Sequence, residues 1–168
     1  LPAVVMALRR YADEISEHRK KMKAFNYSGE ILMKTNICDF TIVKTPSLLA
    51  KLKIIHNLVN FERGDTLNVI IGNNEVSIVI NEKYVEKLIK FLSGEKMLNK
   101  EQNLVALTII FTGDFVHTPG VIFNAVRKLA WESINIYEII STMTELTFIL
   151  NKKDSMKAYD VLQEMVDK

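Results

Sequence analysis

One cysteine, Cys38, is all that 168 residues provide, so no disulfide can close within the chain, and a reducing, cytoplasmic setting is implied. Histidine is nearly as scarce. His18, His56 and His117 stand apart, none with a Cys, Asp or Glu at ligand spacing, which argues against a bound metal. Long apolar runs are missing too. The run from Leu104 to Phe111, LVALTIIF, falls far short of the roughly 20 residues that span a bilayer, and no charged-then-apolar leader opens the chain. Neither sign of charge dominates: a net charge of +2 lacks the concentrated basic footprint of a nucleic-acid-binding domain. There is no glycine-rich phosphate loop, and no nucleophile paired with a base, so neither an enzyme nor a cofactor is expected. The chain opens on Leu1 rather than Met, which implies a preceding segment.

What is present is 48% hydrophobic residues against 25% charged, enough to bury a core as one domain or two small ones. From Pro2 to about Lys23, Val4, Leu8, Tyr11, Ile15 and Met22 recur at alternating four- and three-residue steps, with His18 at the remaining seam position. This predicts one amphipathic helix. The stretch Asn26 to Gly29 interrupts it, and EILMKTNICDFTIV, from Glu30 to Val43, reads as one or two β-strands.

An internal repeat organises the remainder. KTPSLLAKLKII and HTPGVIFNAVRKL share a Thr-Pro step into a helical pattern, with each Thr placed to cap and each Pro at the first helical position. Downstream, both copies continue as strand, tight turn, strand and helix, with Gly72 in the first hairpin turn; Asn81 and Asn151 lie 70 residues apart, and Pro46 and Pro119 lie 73 apart. The helices carry one apolar face each: Leu48, Leu52, Ile55 and Val59 against Val121, Ala125, Val126 and Leu129, then Val85, Leu88, Ile89 and Leu92 against Ala158, Val161, Leu162 and Met165. With right-handed crossovers, strand–helix–strand–strand–helix gives an antiparallel sheet with both helices on one face, an α+β, ferredoxin-like plan. The reading is an N-terminal helix over residues 1–27, a first unit over 28–96 and a second over 97–168, with the polar SGEKMLNKEQN as linker.

GDFVHTPGVIFNAV, followed by INIYEIIS and TELTFIL, resembles the ACT domain, a small-molecule sensing module of amino-acid metabolism, and specifically the regulatory end of aspartate kinase. The resemblance covers Leu104 to about Val166 and implies two tandem ACT units, a regulator and not a kinase, an amino-acid effector and an oligomer. It departs from the family pattern in two respects: nothing here could be the kinase's large catalytic domain, and neither copy has a last strand after its second helix. That strand is expected from residues 30–34, from the other copy or from another chain.

The expected ligand site is the loop before the second unit's first helix: Gly113, Asp114, Phe115, Val116, His117, Thr118, Pro119, Gly120 and Val121. A helix N-terminus offers unpaired N–H groups and the positive end of the helix dipole, which suit an amino acid's carboxylate. Asp114 is placed to accept the ammonium group, and Asn135, Ile136 and Tyr137, at the start of the next strand, to reach the ligand from a neighbouring copy. The alternative is that Gly113 and Gly120 only shape a turn. The first copy's TIVKTPS has Ser47 for Gly120 and no Gly-Asp pair, so it is expected to be structural. Cys38 reads as a small core residue. Two other functions stay open: a transcription regulator whose helix-turn-helix precedes residue 1 or uses the first helix with its basic EHRKKMK, and a ligand-free dimerisation module.

Overall fold

A computed structural model describes residues 2–23, 29–113 and 115–166. Helix α1 (Pro2–Lys23) leads, and β1 (Gly29–Val43), α2 (Pro46–Leu52), β2 (Leu67–Ile71), β3 (Glu75–Asn81) and α3 (Val85–Phe91) follow. The second half is β4 (Met97–Phe111), α4 (Val121–Trp131), β5 (Ile136–Ser141), β6 (Glu145–Asn151) and α5 (Ser155–Val166). All strands join one antiparallel sheet in the order β2-β3-β1-β4-β6-β5.

The two central strands are each 15 residues long and serve both units. The half of β1 from Ile37 to Val43 pairs with β3, whereas Gly29 to Lys34 pairs with the half of β4 that leads into α4. Residues 30–34 thus complete the second unit's sheet. Reciprocally, Met97 to Glu101 of β4 pairs with Ile42 to Asp39 and completes the first. The segment expected as a linker is therefore strand from Met97 onward. Its polarity misled because these residues gain only ladder hydrogen bonds and one-sided contacts, and most of their side chains stay exposed.

Each long strand carries one left-handed residue beside a register shift, Asn36 in β1 and Asn103 in β4, both with φ of 57°. Asparagine tolerates this left-handed backbone better than other non-glycine residues. In β1 the register shift between Lys34 and Ile37 changes which residues face the helices: Ile31 and Met33 pack with the second unit's core, and Cys38, Phe40 and Ile42 with the first's. Three clusters result. Cys38, Phe40, Ile42, Val76, Ile78 and Ile80 lie under Leu48, Ile55, Val85 and Leu88. Val105, Leu107, Ile109, Leu146, Phe148 and Leu150 lie under Val121, Ala125, Leu129, Ala158 and Leu162. A third cluster, Ile37, Val79, Leu104, Ala106 and Ile149, lies on the sheet face turned away from the helices, with Tyr137 and Ile140 against it.

Several expectations are corrected. The first repeat helix stops at Leu52 and gives way to a 3-10 turn at Ile55–Leu58, which still buries Ile55. Ile89, expected on the apolar face of α3, is exposed. On α1, Val4, Leu8 and Tyr11 are exposed, while the side chains of Ile15, His18 and Met22 lie outside the described residues. Gly72 does close the β2–β3 hairpin, its N–H donating to the Glu75 carbonyl at 2.9 Å.

Candidate ligand-binding site

The two helix starts that look alike in sequence are built differently. At α2, Thr45 is the cap, its hydroxyl accepting from the Leu48 N–H at 3.0 Å, and Pro46 is the first helical residue. The carboxylate of Glu95, from the turn after α3, lies across this helix start. It accepts from the Thr45 and Ser47 hydroxyls at 2.8 and 2.7 Å and pairs with Lys51 at 2.9 Å. The Ser47, Lys51 and Thr45 side-chain contacts hold its carboxyl below the usual carboxylate range. The first unit thus supplies its own anion.

At α4 the expected Thr cap and Pro first position do not occur. The helix begins two residues later than the Thr-Pro pattern predicts, at Val121, behind Gly120 in a left-handed conformation, φ 91° and ψ −5°. The cause is local: the Phe115 carbonyl accepts from the Thr118 N–H at 3.1 Å, closing a turn before the helix, and only a residue free to take positive φ reverses the chain into α4 from there. The space where a Gly120 side chain would stand is empty to 4 Å. The first helical bond is Asn124 N–H to the Gly120 carbonyl at 2.9 Å. The helix's opening N–H groups have no carbonyl within the helix to meet them. At the repeat distance of 70, Glu95 aligns in sequence with Met165, which lies within α5 rather than in a turn after it. No sequence signal short of aligning the two copies through this turn would have singled out Glu95.

The loop is anchored by Phe115, 4% exposed and stacked on Phe111 with ring centroids 4.4 Å apart. Val121 is likewise buried, so both act in packing. Gly113, Val116, His117 and Pro119 are exposed, and Thr118 and Gly120 partly so, while Asp114 lies outside the described residues. Asn135, Ile136 and Tyr137 are not brought to this loop within the chain. Ile136 is level with Leu150 and, through it, with Val105, so about 20 Å of strand separates it from the end of β4. Asn135 is exposed, whereas Tyr137 packs between the units.

No family model matches the chain, and no curated protein matches it in sequence. Solved structures do match in fold. The ligand-free regulatory subunit of aspartate kinase from Thermus thermophilus superposes with a TM-score of 0.65 at 14% identity, over 83% of this chain and 98% of that one. The aspartate kinase of Clostridium acetobutylicum, described as an allosteric enzyme, gives 0.65 at 20% identity over 83% of this chain and 34% of its own. Escherichia coli aspartokinase III in complex with lysine and aspartate gives 0.56 at 13% identity, again over 83% of this chain and 32% of that one. The fold is that of two ferredoxin-like ACT units in tandem.

Proposed function

We propose that this protein is a non-catalytic, amino-acid-sensing regulator that binds its effector at the loop from Gly113 to Val121 and the start of α4. The supporting observation is the contrast between the repeat's two helix starts. One holds a carboxylate of the chain itself, Glu95, through the Thr45 and Ser47 hydroxyls, and the other opens through a left-handed glycine. A free amino acid's carboxylate has the charge and size to take the corresponding place at α4. The similar fold of aspartokinase III, solved in complex with lysine and aspartate, supports the class of ligand.

Within one chain the start of β5 lies far from the loop, and Tyr137 is used in packing; we propose that Asn135 and the Ile136 backbone of a second copy complete the site, in a homodimer or higher oligomer active in the cytoplasm. No described helix is long and apolar enough to cross a membrane. The exposed seam of Val4, Leu8 and Tyr11 on α1 suits assembly between copies. The test is a thermal-shift screen of the full chain over the amino acids, followed by calorimetric titration of each hit. A ligand that binds only the folded state raises Tm with concentration. Failure of every amino acid to do so leaves the ligand-free dimerisation module as the better description.

A further inference from the structure

In a flat sheet the strands lying between β3 and β5 would hold those two about 19 Å apart. Instead, Glu138 of β5 reaches the Ser77 hydroxyl of β3, and Val79 of β3 shares one apolar cluster with Ile149 of β6 and Ile140 of β5. The sheet therefore folds across β1 and β4, and the face of each unit turned away from its helices lies against the other's.

Carboxylates gather where these faces meet. Asp39 and Ser77 are each 7% exposed, and the Ser77 hydroxyl donates to Asp39 at 2.6 Å. Glu101 stands level with Asp39 on β4, Glu75 precedes Ser77 on β3, and Glu138 enters from β5. From β2 come only the uncharged Asn68 and Ile70. The lysine of the second unit's face, Lys34, is turned to the Gly64 carbonyl at 3.0 Å, and Glu30 and Glu145 lie further along, level with Ile110. The charges acting on the pair are negative: Glu101 on Asp39, and Asp39 and Glu75 on Glu138.

A serine hydroxyl has one proton to donate, and Asp39 takes it. An ionised Glu138 would bring only acceptors to the Ser77 oxygen, whereas a protonated Glu138 donates to it. Burial acts in the same direction, since desolvation first and neighbouring carboxylates next raise both Asp39 and Glu138 above the usual carboxylate range.

We propose that Asp39 and Glu138 hold one proton between them through the Ser77 hydroxyl, a pH-sensitive latch that ties β5 of the second unit to β3 of the first. Closed, Glu138 donates its O–H to Ser77 Oγ, and Ser77 donates its own proton to ionised Asp39. As pH rises the Glu138 proton passes to water, both carboxylates are negative, and their repulsion, with Glu75 and Glu101 beside them, drives β5 away from β3. A carboxyl raised in the folded state favours that state at acid pH and loses the advantage as pH climbs from its unfolded toward its folded value. The latch is closed at acid pH and opens above the usual carboxylate range. It involves neither the loop before α4 nor an effector.

The test is a carboxyl-carbon NMR pH titration of the full chain, with the Val and Ile methyls followed in parallel. Asp39 and Glu138 should titrate as a coupled pair, each signal responding to two steps, and the methyls of Val79, Ile140 and Ile149 should shift with the upper step. Glu138→Gln, which can donate an N–H at every pH, should leave Asp39 a single step at lower pH and the three methyls insensitive to pH. Ser77→Ala should raise the lower step, because the singly ionised pair loses its donor. An unchanged lower step in Ser77→Ala overturns the shared proton. Independent single-step titrations, an Asp39 midpoint indifferent to Glu138→Gln, or methyls that ignore the upper step overturn the latch.

Discussion

Asn36 and Asn103 sit at equivalent points of the two shared strands, each with φ of 57°, on the chain-preceding side of the Ile37–Leu104 pair. Each is where a long strand leaves one unit and enters the other. Replacing either by Val puts a β-branched side chain in left-handed backbone and should destabilise the protein by about 1–2 kcal/mol. Replacement by Gly should be nearly neutral. Chemical denaturation checks this; equal losses for Val and Gly would place the effect in the asparagine side chains instead.

Two carboxylates predict an acid limb of stability. Asp65 is lowered from 3.8 to about 2 by hydrogen bonds from Lys83 first and Tyr84 next, and Glu95 is lowered by Ser47, Lys51 and Thr45. A carboxyl whose folded pKa is depressed contributes stability that is full above its unfolded pKa and is lost as pH falls through the folded value. Tm should therefore drop between about pH 4 and pH 2. Asp65→Asn and Glu95→Gln should each lower Tm at pH 7 and flatten this limb, as read by calorimetry across pH.

Asp39 behaves in the opposite sense. It is buried, accepts from the Ser77 hydroxyl at 2.6 Å, and is raised above the usual range by desolvation first, with Glu101 adding like charge; Glu138 is likewise raised by desolvation and, further, by Asp39. As pH rises, the unfolded chain ionises first, so the folded state loses relative stability until Asp39 ionises in turn. Asp39→Asn keeps the hydrogen-bonding shape without the charge, and should stabilise the protein at pH 7 by on the order of 1 kcal/mol, about 2–4 °C in Tm. A fall in Tm at pH 7 would show that the charge itself is needed.

The repeat, the helix faces and the ferredoxin-like plan were legible because Val121, Ala125 and Leu129, or Ala158 and Leu162, keep a helical period that burial requires. The interlocking of the units was less so. Met97 to Asn103 looks like a linker because its role is to add a ladder to β1, and ladder hydrogen bonds are made by any backbone. The left-handed points of the long strands were marked only by Asn36 and Asn103 ahead of Ile37 and Leu104, a pairing visible once the two strands are aligned. The start of α4 was misplaced for a related reason. Thr-Pro reads identically in both copies, and whether Thr or the following residue caps depends on the turn before it. At Ser47 the residue is held through its hydroxyl by Glu95; at Gly120 the backbone turns left-handed.

That difference separates structure from binding at Gly120. With φ of 91°, Ala there should cost about 1–2 kcal/mol of stability even though nothing lies within 4 Å of its methyl group. Asn, which accepts left-handed backbone more readily, should leave Tm nearly unchanged. If the open space beside Gly120 is where the effector's carboxylate approaches the first N–H groups of α4, Gly120→Asn should still weaken binding by roughly tenfold or more, because any Cβ narrows that approach. Val116→Ala, at an exposed neighbour, should leave affinity unchanged. Asp114→Asn, by removing the ammonium's partner, should lower affinity about ten- to a hundredfold. The measurement is calorimetric titration of each variant with the amino acid that raises the parent's Tm. A Gly120→Asn protein that binds as tightly as the parent would make the left-handed glycine a turn device alone, and would move the effector's carboxylate away from the start of α4.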